Sequence, residues 1–455
     1  MSQLEKEILM SAAIKAIDYL HNIQHRNVAP LPDAIKNLDA FDEELPAVGI
    51  DATCNIKFLD DYGSPATVAS NGSRYFGFVI GGSQPAALAA NWLASAWDQN
   101  AGLVATSPVN ARIETVVEKW LTSILPVANG SAVGFVTGVT MANFCALAAA
   151  RTAILTEQGW DVEAMGLFGA PSISVVVGEE AHGSLMKALS MLGLGRERVI
   201  RIPSDSNGRM RTDLLPPLDR KTILCLQAGN VNAGSMDDGR VIADAKSQGA
   251  WVHIDGAFGL WTGASKVKKH LTVGYELADS WATDAHKWLN VPYDSGLVIC
   301  KNGDYLQKAM SMEGEYLDQS GERIPYRYTP ELSRRARAVD IWAAMRTLGK
   351  DGIDELVTRT CSYAEHLAIN LKSAGFPILN EVETNQVLVS FGEYTQRVID
   401  EIQSDGTCWC GGTMWKGKPA MRISICSAKT SEHDIKTSLE AILRAANSFV
   451  GKKIH

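Results

Sequence analysis

The run Thr283-Asp284-Ala285-His286-Lys287-Trp288-Leu289 sets a lysine directly behind a histidine and ahead of two large apolar side chains. Apolar neighbours strip water from an amine, and burial lowers a lysine's pKa and favours its neutral, nucleophilic form near neutral pH. A lysine met alone is most often a surface charge. Its company along the chain therefore decides its meaning.

From about residue 110, helical patterns alternate with short apolar runs bounded by Gly, Pro, Asp or Asn, which is the pattern of βαβ units and a mainly parallel sheet. Strands are expected at 173–177, 199–202, 223–226, 251–254 and 296–299, each mostly apolar, as strands covered on both faces should be. In such sheets ligands gather at the carboxyl ends of the strands, and three more groups stand there. The run ending at Val136 passes through Thr137-Gly138-Val139-Thr140 into an Ala-rich helix from Met141 onward. Free N–H groups and the positive end of a helix dipole there suit an anion such as phosphate, although the same residues also read as an ordinary helix cap. The strand at 251–254 runs into Asp255-Gly256-Ala257, a carboxylate able to hold a heterocyclic nitrogen protonated, or equally an Asp capping the next turn. Ala181-His182-Gly183 follows Glu179-Glu180 and sets an ionisable ring at the same edge, where a histidine on its own is more often structural.

The rest of the chain bounds the possibilities. Its 455 residues are too many for one small core, and 46% hydrophobic with 21% charged residues is ordinary for a soluble protein. A net charge of -8 argues against nucleic acid as the main partner, and the short cluster Lys266, Lys268, Lys269 reads as a solvated face. Residues 131–150 have the length of a membrane span and no charge, but Gly134, Thr137, Gly138, Thr140 and Asn143 fit strand, turn and buried helix better than a rod in lipid. The start, with Glu5, Lys6 and Glu7 between Leu4 and Ile8, is a helix pattern and lacks the basic-then-apolar order of a secretion signal. Eight cysteines without a framework agree with a reducing, cytoplasmic setting, and Cys408 and Cys410 are too close together for a zinc pair, so no metal is expected. Residues 1–80 read as an N-terminal arm, 81–335 as a large ligand-binding domain, and 336–455 as a smaller α+β domain. The smaller domain is expected to open with helices at 338–348 and 353–374.

In order, a phosphate cradle, a ring histidine, a carboxylate and a lysine, each behind its own strand or turn, match what pyridoxal phosphate requires. The lysine takes the aldehyde as a Schiff base, the carboxylate keeps the pyridine nitrogen protonated, and the cradle anchors the phosphate. The chain resembles the group II pyridoxal-phosphate-dependent amino-acid decarboxylases over nearly its whole length. The resemblance rests on Asp284 to Leu289, His253-Ile254-Asp255-Gly256-Ala257, Ala181-His182, Phe135 to Arg151, Arg334-Arg335, and Met421-Arg422-Ile423-Ser424-Ile425-Cys426.

The resemblance implies fold type I, with a large domain on a mainly parallel seven-stranded sheet, a small C-terminal domain, and an arm crossing a homodimer whose active sites lie at the subunit interface. It implies a small-molecule amino-acid substrate. On matching positions it sets Val139, Thr140, Asp284 and His286 near the phosphate, Asn230 and Asn232 near the cofactor's upper edge, and Ser333 among the cofactor's neighbours. It stacks His182 on the ring, pairs Asp255 with the ring nitrogen and packs Ala257 beneath. Tyr75, Phe76, Ser107 with Pro108, and Arg422 fall where the family binds substrate. The expected proton donor, a tyrosine on a loop before the small domain, is Tyr326, with Tyr328 as the alternative. Aromatic residues Tyr75, Phe76, Phe78 and Trp97 favour an aromatic substrate.

Two positions depart from the family pattern. Met141 stands where many relatives have an acid, and Asp284 replaces an Asn or Ser, putting a carboxylate beside the expected phosphate unless it turns away or binds His286. Another reaction on the same cofactor residues, a carbon–carbon lyase or an aminotransferase, and a relative that only binds the cofactor are the competing readings.

Overall fold

The apolar runs become strands in the computed structural model, which describes residues 1–312 and 323–450. The strands are β1 (Ala132–Val136), β2 (Ser174–Gly178), β3 (Ile200–Ile202), β4 (Thr222–Gln227), β5 (Trp251–Asp255), β6 (Ser280–Asp284) and β7 (Gly296–Cys300). They form one seven-stranded sheet in the order β1-β7-β6-β5-β4-β2-β3. Strands β6, β5, β4, β2 and β3 run parallel, while β7 is antiparallel to both β6 and β1. Asp284 at the end of β6 therefore sits opposite Gly296 at the start of β7, and Lys287 stands on the connection between them.

Sequence alternation does not reveal β6. Its residues Ser280-Trp281-Ala282-Thr283-Asp284 mix polar and apolar types, yet every one is buried. Their polar groups find partners inside the fold, as buried polar groups must; the Ser280 hydroxyl, for instance, meets Trp251 and His253.

The helices that position the site are α1 (Gln3–Asn22), α2 (Pro108–Ile124), α3 (Val139–Glu157), α4 (Gly183–Met191) and α5 (Arg337–Ser373), with α6 (Glu432–Val450) near the C-terminus. By length and composition α3 could cross a membrane, but 72% of its apolar window is buried within the protein. Its small Ala residues let it lie close against the sheet, where Leu147 and Leu155 are fully covered, each worth about 1.5–3 kcal/mol of burial. In α5 the expected break between two helices appears as a kink at Gly349 (φ +64°).

Two compact units result. One comprises Met1–Ile80, Leu367–Leu379 and Leu388–His455; the other comprises Gly81–His366 and Asn380–Val387. This differs from the division expected at residue 335, because α5 continues the larger unit to His366. Residues 1–80 are part of the first unit. Val28 N–H donates to Gly406 O, Phe76 N–H to Trp409 O and Ser424 N–H to Phe76 O, tying the segment into its own unit. A three-stranded sheet in the order β8-β10-β9 is made by β8 (Gln386–Val389), β9 (Gly411–Trp415) and β10 (Lys418–Ser424).

Candidate active site

Lys287 lies one turn beyond β6, its side chain 19% exposed, with Nζ 3.2 Å from Asp284 Oδ2. The same carboxylate oxygen is 3.5 Å from His286 Nε2. The other oxygen, Oδ1, accepts the Val139 N–H at 2.7 Å. Asp284 thus joins the lysine, the histidine and the first residue of α3, and its position beside an anion site is resolved by these pairings. Burial holds the His286 pKa below its ordinary value against the pull of Asp284, so the ring is neutral near pH 7. Its Nδ1 accepts the Ser295 N–H at 3.1 Å, and the Tyr293 ring stands 4.3 Å from it, centroid to centroid.

The turn before α3 is kept bare. A side chain on Gly296 would run into the Gly138 backbone, and one on Gly138 would come within 3.2 Å of His286 Cε1. Beyond this turn the first N–H groups of α3, including that of Thr140, have no acceptor within the helix. Together they form a cradle for an anion.

Asp255 ends β5, buried to 3% exposure, and its Oδ2 accepts from Asn143 Nδ2 at 3.1 Å. Burial pushes its carboxyl pKa up, while His182, Asn143 and Lys287 act against the rise. His182 caps α4, its Nδ1 2.7 Å from Ser184 Oγ, and it shares a narrow crevice with Asp255, Gln227 and Leu185. A buried carboxylate is costly without a cationic partner, and a protonated pyridine nitrogen is such a partner. Lysine, anion cradle, crevice histidine and buried acid fit pyridoxal phosphate.

Other expected residues stand differently. The Ala257 carbonyl accepts the Asp284 N–H at 2.9 Å, so Ala257 belongs to this cluster. The Asn230 side chain closes its own turn, Oδ1 accepting from Asn232 and Ala233 N–H. Ser333 is exposed and 3.5 Å from Asn100, and the Ser107 hydroxyl donates to Gln99. Tyr326, the expected donor, has an enclosed ring. It is 2% exposed and packed with Ile324, Leu103 and Leu332, in a turn fixed by Arg334 Nη1 to Pro325 O and Thr329 Oγ1. Arg334 in turn is paired with the buried Glu114 at 2.7 Å.

Tyr75, Phe76 and Arg422 belong to the other unit. There Tyr75 stacks on Trp409 at 5.0 Å, Phe78 tilts on the same indole at 5.6 Å, and the Arg422 guanidinium lies 5.9 Å over Phe78. A cavity of about 590 Å³ in the same unit is lined by Lys15, Tyr19, Arg26 and Asp60, none of which bears on the chemistry of Lys287. Sequence reading missed Asn143, Tyr293 and Trp409. Asn143 was visible as the lone amide in an Ala-rich helix; Tyr293 and Trp409 carried no signal of their own.

A lysine on a strand connection, a helix-end anion cradle and a buried acid beneath them, on a seven-stranded sheet of this order, define a fold type I pyridoxal-phosphate enzyme. Residues 66–393 match the family model described as the pyridoxal-dependent decarboxylase conserved domain, and the chain belongs to that family. An aromatic-L-amino-acid decarboxylase of Bacillus atrophaeus is 25% identical over 92% of this chain and 90% of its own length. An aspartate 1-decarboxylase of Aliivibrio fischeri is 32% identical over 56% of this chain and 49% of its own. The crystal structure of Oryza sativa TDC with PLP and tryptamine shares the fold, with a TM-score of 0.88 at 19% identity, covering 99% of each chain. The chain is a pyridoxal-phosphate-dependent amino-acid decarboxylase.

Proposed function

We propose that the substrate is an aromatic L-amino acid. The observation that carries this reading is the ring cluster of Tyr75, Phe78 and Trp409 beneath the Arg422 cation. Aromatic pairs at these spacings favour a further ring, and a guanidinium suits a carboxylate. Backbone geometry supports a purpose for the cluster. Phe78 and Val79 both hold left-handed conformations (φ +51° and +60°), costly for side-chain-bearing residues. Phe78 is nonetheless 60% exposed. Gly77 makes the turn possible, since any side chain there would strike the Trp409 ring.

Bound pyridoxal phosphate supplies an electron sink for the pair left behind when the substrate carboxylate departs as carbon dioxide. On this reading Lys287 would hold the cofactor covalently through its amine, and Thr140 and His286 would hold the phosphate beside Val139, whose own N–H is taken by Asp284. Asp255 would hold the ring nitrogen, and His182 and Ala257 the ring. Asp284 orients Lys287 and the α3 amide through the contacts above. Burial of the Tyr326 ring argues against its hydroxyl as the proton donor.

The working form is a homodimer with the active site at the interface. In its support, α1 buries no residue and exposes Leu4, Leu9, Met10, Ile14 and Ile17, a face that calls for a cover. Eight free thiols suit the reducing cytoplasm.

Carbon dioxide release from a panel of L-amino acids, aromatic against acidic, tests the substrate. Turnover of aspartate or glutamate in preference to tryptophan, tyrosine or phenylalanine would overturn the aromatic reading.

A further inference from the structure

Behind Asp255 a line of buried hydrogen bonds crosses the sheet. On β5 the side chains of Trp251, His253 and Asp255 share one face, by the two-residue period of a strand. Asp255 Oδ2 is 3.1 Å from Asn143 Nδ2 on α3. Asn143 Oδ1 is 2.9 Å from His253 Nε2. His253 Nδ1 is 3.0 Å from Ser280 Oγ, at the start of β6, and Ser280 Oγ is 3.0 Å from Trp251 Nε1. Asn143, His253 and Ser280 have no exposed surface.

The two ends of the line fix its direction. An indole N–H can only donate, and an ionised carboxylate can only accept. Trp251 therefore donates to the Ser280 oxygen, the Ser280 hydroxyl donates to His253 Nδ1, His253 Nε2–H donates to the Asn143 carbonyl, and the Asn143 amide donates to Asp255. This sets the His253 tautomer, with its single ring proton on Nε2. Burial holds the His253 pKa down at about 3, in keeping with an uncharged ring. A second ring proton would leave the Ser280 hydroxyl facing a donor. Every bond points toward Asp255, and bonds aligned in this way strengthen one another in a low-dielectric interior.

We propose that Asn143 and His253 are positioning residues that keep Asp255 ionised and aimed at the ring nitrogen of bound pyridoxal phosphate. The inference rests on the assignment of Asp255 to that nitrogen. Neither residue touches the reacting atoms. Their donors replace the water that a buried carboxylate has lost, without adding a positive charge that would compete with the cofactor's own.

The test compares binding of two cofactors to apoprotein: pyridoxal phosphate, and its analogue with a ring C–H in place of the nitrogen. The ratio of the two affinities reports the bond between Asp255 and the ring nitrogen. General damage to the fold moves both affinities together. The parent protein is expected to prefer the natural cofactor. His253→Phe and Asn143→Leu, which fill similar volumes without the donor, should cut that preference roughly tenfold or more, in the range seen when groups supporting a ligand are removed. They should bind the analogue as the parent does. His253→Gln, whose amide N–H can take the place of Nε2–H, should keep the preference.

Full preference in His253→Phe overturns the proposal, and so does a loss in His253→Gln as large as in His253→Phe. If either apolar variant does not fold, Ser280→Ala decides on the same ratio. It removes one hydroxyl and releases the tautomer, so a partial loss is expected and an unchanged ratio overturns the proposal. Asp255→Asn separates this inference from the assignment beneath it. An unchanged preference in Asp255→Asn defeats the assignment itself. Loss in Asp255→Asn alone leaves the assignment standing and defeats the relay.

Discussion

Asp284 Oδ1 accepts the Val139 N–H at 2.7 Å, so a carboxylate from the end of one strand caps the helix that leaves the neighbouring turn. Losing a side-chain cap costs about 0.5–2 kcal/mol. Asp284→Ala should destabilise the apoprotein by about that much in urea unfolding, and Asp284→Asn, which keeps an oxygen acceptor, by clearly less. Equal losses in the two variants would remove the capping role.

Gly296 faces the Gly138 backbone with no room for a methyl group. Overpacking of this kind costs about 1–3 kcal/mol. Gly296→Ala is expected to lower the melting temperature and to weaken binding of pyridoxal phosphate by displacing the Thr137-Gly138-Val139 turn. A variant that melts lower yet binds the cofactor normally would show that the turn does not carry the phosphate.

Glu114 and Arg334 are both without exposed side-chain surface and meet at 2.7 Å. Burial pushes the Arg334 guanidinium pKa down, and Glu114 opposes that shift. Breaking a buried pair from one side costs about 3–5 kcal/mol, because the other charge is left without compensation. Glu114→Gln should lose stability of that size in chemical denaturation, whereas replacing both partners by apolar residues should restore much of it. A small loss in the single variant would mean that water reaches Arg334.

The acid dependence of stability has a part that belongs to His253. Its pKa lies near 3 in the fold, against 6.5 for an ordinary histidine. The fold disfavours its cation, so the benefit of the neutral ring is fully present above about pH 6.5 and is lost as pH falls toward 3. The whole effect is about 5 kcal/mol. Unfolding free energies of the parent and of His253→Gln, measured across this range, should diverge in acid, the parent losing more. Parallel curves would place the histidine in contact with water.

Much of the architecture was legible because the strands at 173–177, 223–226 and 251–254 are mostly apolar, a pattern that burial in a parallel sheet imposes. β6 escaped because its buried polar residues are satisfied by groups far away in sequence; Ser280, for example, meets Trp251 and His253. The same reason left the role of Asn143 unread, since its partners Asp255 and His253 lie more than a hundred residues downstream. Lys287 and Asp255 stood out through their order along the chain; in the structure Lys287 meets Asp284 and Asp255 meets Asn143. Tyr326 was chosen from a segment that offers two tyrosines and little else. Only the three-dimensional packing of Leu103, Ile324 and Leu332 shows its ring enclosed. A change from short strands to long helices suggested a boundary at residue 335, whereas the larger compact unit extends to His366.

Asp284 and Gly296, the two ends of the connection that bears Lys287, are register partners in adjacent antiparallel strands. A segment that leaves and re-enters the sheet at the same rung is a closed span, and added length would swing the lysine off its mark. Enzymes rebuilt on this scaffold by loop grafting or domain insertion should therefore accept new sequence at other connections, while this one tolerates exchange of side chains but no change in length.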